Sequence, residues 1–305
     1  MSLAVVMNSN QVSNTSTNTQ FTYKFINGAL DIPPNSTMTI ATCQIPYAFP
    51  NITPTYANQT FVIQWPSVGA TPITDRLYTI PKGFYLVSDI SNWLTAQFVA
   101  QGLYLLDPTG NIVTYVTMSY NTTLYAIQLN CYAIPTSLPA GYSNPAGMLF
   151  PATASTPLFS IPNGITNYIY PVSLPLGIVP ASSLGTLLGY VAGTFYPPVV
   201  QATNYSTTGS LTPLGSNVNS LILRCNLIAN DVTMPSDILG SFPINASYGS
   251  NITFLPSFEI KMKLKPGRYN QMTIQLVDQN FNTIYSLDPN VLMTFLMTLG
   301  DQTRK

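Results

Sequence analysis

From residue 20 onward, large apolar side chains recur at every second position in short runs, the pattern of strands with one buried face. Phe21–Ile26 and Ser36–Pro46 alternate in this way on either side of a turn signal at Ile32-Pro33-Pro34-Asn35. Thr60–Trp65 and Arg76–Ile80 predict one hairpin, and Ile112–Met118 and Leu124–Asn130, joined through Asn121-Thr122-Thr123, predict another. Further on, Ser220–Ile228, Phe258–Lys265 and Met272–Val277 read as strands, and Val291–Leu299 is apolar enough to predict a strand buried on both faces. One stretch carries a helical period: Ile90, Trp93, Leu94 and Phe98 share a face, with Ser88 as N-cap and Asp89 at the positive helix start.

Between these runs the texture changes. Residues 1–18 read as a polar N-terminal arm, since Asn8–Asn10 and Asn14–Asn18 offer no periodic hydrophobics. Residues 132–216 are rich in Pro, Gly, Ser and Tyr and predict ordered loops and short elements. No internal repeat is present. Strand density with one short helix predicts an all-β protein, a sandwich or a jelly roll, with a second β-rich region inserted in its middle. Residues 19–50 and 217–305 would close the sandwich, and 51–216 would form the insertion.

Charge changes the functional picture. Charged residues make up 7% of the 305 residues, ten basic and ten acidic, against about 25% in ordinary soluble domains. None lies in residues 108–223, a run of 116 between Asp107 and Arg224. Asn, Thr, Ser, Gln and Tyr must solvate that stretch, and such neutral surfaces suit subunits packed against others, because interface cores are depleted of charge. A neutral β domain without partners is the alternative. Tyrosines, among them Tyr142, Tyr168, Tyr170, Tyr190, Tyr196 and Tyr205, are spread through this region and offer large contact area at low entropic cost. Aromatic rings on neutral strands also stack on sugars, so a glycan-binding or adhesive β protein is a second class of reading. Eight Asn-x-Ser/Thr sequons are present, which matter only in a secreted chain; the short apolar patch Leu3–Val6 has no basic flank and does not predict a signal peptide.

Candidate chemistry is sparse. Histidine is absent, which removes the commonest general base and metal ligand. Cys43, Cys131 and Cys225 lack metal or redox spacing and read as small core residues in a reducing compartment. Pro81-Lys82-Gly83 lacks the glycines and hydroxyl residue of a phosphate loop. Asp231 and Asp237 form a conceivable acid/base pair but sit in turn contexts beside Pro235 and Ser236. Asp278, Asp288 and Asp301 also read as turn residues, with a calcium site at Asp278, Asn280 and Asn282 as the sharper alternative. Period-two spacing puts Lys261, Lys263 and Lys265 on one strand face near Arg268, either a charged sheet face or a weak contact to packaged DNA. No catalytic, cofactor-binding or metal residue is assigned, no cofactor is expected, and Tyr168–Val200, the most apolar stretch, is broken by prolines, among them Pro171, Pro175, Pro180 and Pro197, and predicts no membrane span.

Several segments together resemble the penton capsid proteins of virophages and polinton-like viruses, including the mavirus-like penton. They are Asn18–Phe25, Ile32–Ile40, Gln44–Tyr47 with Asn51–Thr53, Ile80–Tyr85 leading into Ser88–Leu94, Pro235–Leu239, Asp278–Asn280 and Asp288–Asn290. The resemblance implies a non-enzymatic structural subunit, a jelly roll with an inserted β domain, forming homopentamers at icosahedral fivefold vertices and abutting a major capsid protein. It implies a virion component assembled in the host cytoplasm. Another minor capsid protein of the same particle is the alternative within this class.

Overall fold

A computed structural model describes residues 2–8, 13–14, 17–68, 73–163, 182–216 and 218–300. The chain divides into two compact units, residues 1–50 with 218–305, and residues 51–217. The first stretch supplies β1 (Ser2–Asn8), β2 (Ser13–Asn14), β3 (Gln20–Lys24), β4 (Leu30–Ile32) and β5 (Thr37–Pro46). The second unit contains β6 (Thr60–Trp65), β7 (Thr74–Thr79), α1 (Val87–Ala100), β8 (Leu105–Leu106), β9 (Ile112–Val113), β10 (Val116–Asn121) and β11 (Ala126–Cys131). It continues with β12 (Leu158–Ser160), α2 (Leu184–Leu188), β13 (Phe195–Tyr196) and β14 (Tyr205–Thr208). The chain then returns to the first unit with β15 (Ser220–Cys225), β16 (Ile238–Pro243), β17 (Asn251–Phe254), β18 (Met262–Lys263), β19 (Gly267–Tyr269), β20 (Gln271–Asp278) and β21 (Leu292–Thr298).

The first unit is an antiparallel sandwich. One sheet has the order β1-β21-β5-β17 with β18 also on β5, and the other has β16-β15-β20-β3-β2. Taking β1, β3, β5, β15, β16, β17, β20 and β21 as eight successive strands, the first sheet holds the first, eighth, third and sixth. The other holds the second, seventh, fourth and fifth. That is jelly-roll order, one of the two all-β arrangements that the strand-dense sequence allows. Met38, Ile40, Cys43 and Ile45 of β5 turn inward with Met293, Phe295 and Met297 of β21, and Phe21, Leu221, Leu223, Ile274 and Leu276 from the other sheet are buried as well. Each such side chain contributes about 1.5–3 kcal/mol on burial. Phe242 of β16 stacks on Phe254 of β17 at 4.9 Å, a contact that runs from one sheet to the other.

Three expectations need correction in this unit. The residues read as a polar arm include β1, paired residue by residue with β21 from Ser2↔Thr298 to Asn8↔Leu292; Val5 and Met7 are buried because a short apolar alternation precedes the polar run. The unbroken strand expected over Phe258–Lys265 shrinks to β18, since Phe258 and Ile260 are exposed and no strand lies beside them among the described residues. Finally, β21 buries one face only, with Leu292 and Leu296 partly open to solvent.

The second unit is built on two sheets, β13-β12-β6-β7 and β10-β11-β14, and on α1. The hairpins β6/β7 and β10/β11 form where the alternation places them. Ile90, Leu94 and Phe98 of α1 are buried in the unit's core with Trp93 packed beside them. Ser88 is not the N-cap: the helix starts after Leu86, whose N–H donates to the Asp89 carboxylate at 2.8 Å. Where the sequence predicts one helix, the described residues hold a second, α2, only five residues long and ended by Gly189 in the left-handed region at φ 80°. One turn and a half is too short to display a helical period.

Candidate functional site

Among the described residues, the acidic side chains singled out from sequence are engaged structurally. Arg224 forks onto Asp237, its Nε and Nη2 donating at 2.9–3.2 Å, while Asp231 accepts from Lys263 Nζ at 3.5 Å. The two carboxylates therefore answer separate cations and do not form an acid/base pair. Asp288 accepts from the N–H and the side-chain amide of Asn290. Asp107 accepts from the N–H groups of Thr109 and Asn111 and from the Thr109 hydroxyl and Asn111 amide, and these donors hold its pKa down to about 2. Asp301, Tyr168 and Tyr170 lie outside the described residues.

Asp278 is buried at the end of β20 and accepts from Asn280 N–H, Asn282 N–H and Asn282 Nδ2 at 2.8, 2.8 and 3.1 Å. These partners present donors to the carboxylate, whereas calcium needs oxygens. Among the described residues no cluster of three or more His, Cys, Asp or Glu could hold a metal. An Asp278→Ala variant should lose about 2–3 kcal/mol, since three donors to a charged acceptor are orphaned together. Calcium should leave the melting temperature of the unaltered protein where it is, and a calcium-dependent rise would restore the metal reading.

The lysine stripe lies where three connections of the sandwich meet. Ala229 N–H donates to Lys263 O, Lys265 N–H to Leu227 O, and β19 pairs with β4. Here Lys261 faces Glu259 at 3.8 Å, Lys263 faces Asp231 at 3.5 Å and Arg268 faces Asp31 at 3.8 Å, while Lys265 Nζ donates to Asn226 O. Three of the four cations already face carboxylates, which leaves little for phosphate. Solvent-exposed pairs of this kind contribute about 0–1 kcal/mol each. The thiols of Cys43, Cys131 and Cys225 are buried, and burial pushes each up to about 12, so none is a nucleophile near neutral pH.

What sequence reasoning missed is an apolar cleft of about 550 Å³ in the second unit. The first turn of α1, the β10/β11 hairpin, the end of α2 and Pro213–Gly215 form its walls. Buried Asn51 fixes two of these: its Nδ2 donates to Tyr85 O at 2.9 Å and Gly215 O at 3.0 Å, and its Oδ1 accepts the Tyr85 N–H at 2.9 Å. Ser91 Oγ accepts the Met118 N–H at 3.1 Å and ties the hairpin to α1. Tyr190, fully buried, donates to Ile127 O at 2.8 Å and places α2 against β11. Leu86, Tyr120, Tyr125 and Leu214 stay exposed on the rim, the two tyrosine rings meeting edge to face at 5.9 Å.

No ionisable carboxylate, amine or guanidinium lines this cleft. A charge entering it would be desolvated without compensation, so its chemistry suits an uncharged apolar segment. Asn51 and Asn58 also lose their meaning as glycosylation sequons, because both are buried with their amide nitrogens donating, Asn58 to Asn51 O at 2.7 Å. Of the tyrosines singled out from sequence, Tyr190 is core, and Tyr142, Tyr196 and Tyr205 are half-buried against it.

Among the described residues no helix is long and apolar enough to cross a membrane. No family model matches the chain, and no curated protein matches it. Among solved structures it is similar to the mavirus penton protein, with 8% identity and a TM-score of 0.43 over 98% of this chain and 99% of the other. It is also similar to a chain of the Sputnik virophage solved by cryo-EM, with 13% identity and a TM-score of 0.36 over 98% and 97% of the two chains.

Proposed function

We propose that this chain is a non-catalytic structural subunit of a viral capsid. The observation that carries the reading is the jelly-roll strand order of the first unit combined with a second unit free of charge over most of its length. Jelly rolls serve as capsid, lectin and cupin domains. A cupin needs metal-binding side chains, and this sequence has no histidine. A lectin needs convergent polar groups, and the cleft of the second unit offers Ser88, Ser119 and tyrosine hydroxyls among apolar walls. A shell subunit needs neither; it needs neutral surface that tolerates burial against neighbours.

The finer reading follows the resemblance in sequence: homopentamers at fivefold vertices, adjoining a major capsid protein, in virions assembled in the host cytoplasm. Native mass spectrometry and negative-stain imaging of purified protein should find five-membered rings. A chain that stays monomeric at high concentration and never joins shells of its major capsid partner would defeat the proposal. Glycan-array binding by the free chain would favour the lectin class instead. Because charged residues make up only 7% of the chain, ring stability should change less than about tenfold between 0.1 and 1 M NaCl, where contacts built on charge are screened. Analytical ultracentrifugation across that range checks this.

A further inference from the structure

The charge-free run of the second unit carries a convex apolar feature as well as most walls of the cleft. Phe159 of β12 pairs with Tyr196 of β13. A continuous register would set Thr156 opposite Val199, yet Thr156 is bonded to Gln201 instead. Its N–H donates to Gln201 O at 2.8 Å, and its hydroxyl accepts the Gln201 N–H at 3.1 Å. Two extra residues are therefore looped out of the pairing, as in an enlarged β-bulge. Pro197 is buried at the base of the loop, while Pro198, Val199 and Val200 stand exposed, Val199 by 66%. With both feet fixed and φ locked at two prolines, this tip is displayed in one shape and loses little entropy when a partner covers it.

Tip and cleft lie toward opposite ends of β11. At one end Cys131 Sγ donates to Tyr196 O at 3.5 Å. Four residues back along the strand, about 13 Å at 3.3 Å per residue, Ile127 lines the cleft. The tip contributes nothing to the walls of its own cleft. One copy thus carries an apolar protrusion and an apolar recess on separate parts of its surface.

We propose that the Pro198–Val200 tip of one copy seats in the cleft of the next, an inference that rests on the reading of the protein as a ring-forming subunit. The cleft, about 550 Å³, is of the size that takes small molecules, and three small apolar residues are an occupant of that scale. Neither side brings a charge to be desolvated. Pro198 has no N–H to leave unpaired against apolar walls. The exposed rings of Tyr120 and Tyr125 at the rim suit it further, since proline-rich segments dock in aromatic-lined grooves. A protrusion that fits a recess elsewhere on the same molecule makes a heterologous contact, the kind from which an odd-numbered ring is built.

Val199→Asp puts a carboxylate on the tip, solvated in the free subunit and desolvated in a cleft that holds no cation. Rings of this variant should be weaker on the order of 100-fold, with the melting temperature of the dissociated subunit unchanged because Val199 is exposed. Proximity is read separately from a Val199→Cys/Leu214→Cys double variant, Leu214 being exposed on the rim. A short bis-maleimide should join its copies into a covalent ladder that ends at the ring. Each single variant should stay unlinked, since the three native thiols are buried. Rings of equal strength in Val199→Asp, or rings of the double variant that give no ladder, overturn the inference while leaving the subunit reading standing. Absence of rings in the unaltered protein overturns both.

Discussion

A Gly189→Val variant should lose at least about 3 kcal/mol of stability and with it the wall of the apolar cleft. Gly189 ends α2 at φ 80°, a conformation that costs L-residues about 1–2 kcal/mol and β-branched ones more. A Cβ there would also press on the carbonyl oxygen of Leu211, well inside van der Waals contact. That oxygen cannot swing away as a side-chain tip would, because Leu211 N–H is itself bonded to Gly189 O at 3.0 Å. Gly209 closes the same stitch from the other side, its own Cβ position lying 2.5 Å from Gly189 O. Leu187 and Leu188, just before the cap, line the cleft, so the clash would be relieved by displacing them. For a unit of this size the loss corresponds to a fall in Tm of about 6–12 °C. Gly189→Asn, which tolerates the left-handed region better, should fall between the two; equal stability of all three proteins would refute the argument.

Much of the framework was legible in the sequence. β5, the β6/β7 hairpin, α1 and β20 stand where alternation or helical period puts them, within one or two residues, because that periodicity is written locally. What failed depends on partners. Phe258–Lys265 alternates as cleanly as β5, yet only Met262 and Lys263 find a strand to pair with. β1 was hidden by the Asn- and Ser-rich residues after it, although Leu3, Val5 and Met7 carry the same alternation. Tyr190 was not legible as core because ring size argues for burial and for interfaces equally; the difference lies in what surrounds it, and that is fixed by chain segments far apart in sequence.

The cleft was not legible at all. Its walls come from four segments between Tyr85 and Gly215, held by Asn51, a residue that the sequence shows only as one more sequon. The sole sequence trace of the cleft is the absence of charge from residue 108 onward, which says that the surface is unusual and not where it turns concave. Chemistry-bearing residues were easier to judge in the other direction. Asp278, Asp288 and Asp107 each sit two residues before an Asn or Thr whose N–H they accept, a local turn device that sequence spacing does display.

Replacing Phe61 with alanine should be the most damaging single truncation, costing about 3–5 kcal/mol as large aromatic deletions in cores do. Phe61 is fully buried on β6. Its ring stacks on Tyr78 at 5.4 Å, meets Trp93 edge to face at 6.2 Å and tilts against Phe159 at 5.4 Å, so it joins β6, β7, α1 and β12 around one point. No neighbour fills that space without leaving its own contacts, and a cavity remains. The measurement is selective, because both tryptophans of the chain, Trp65 and Trp93, belong to the second unit. Urea unfolding followed by tryptophan fluorescence therefore reports on that unit. Phe258→Ala, at a ring left exposed in the first unit, should shift nothing.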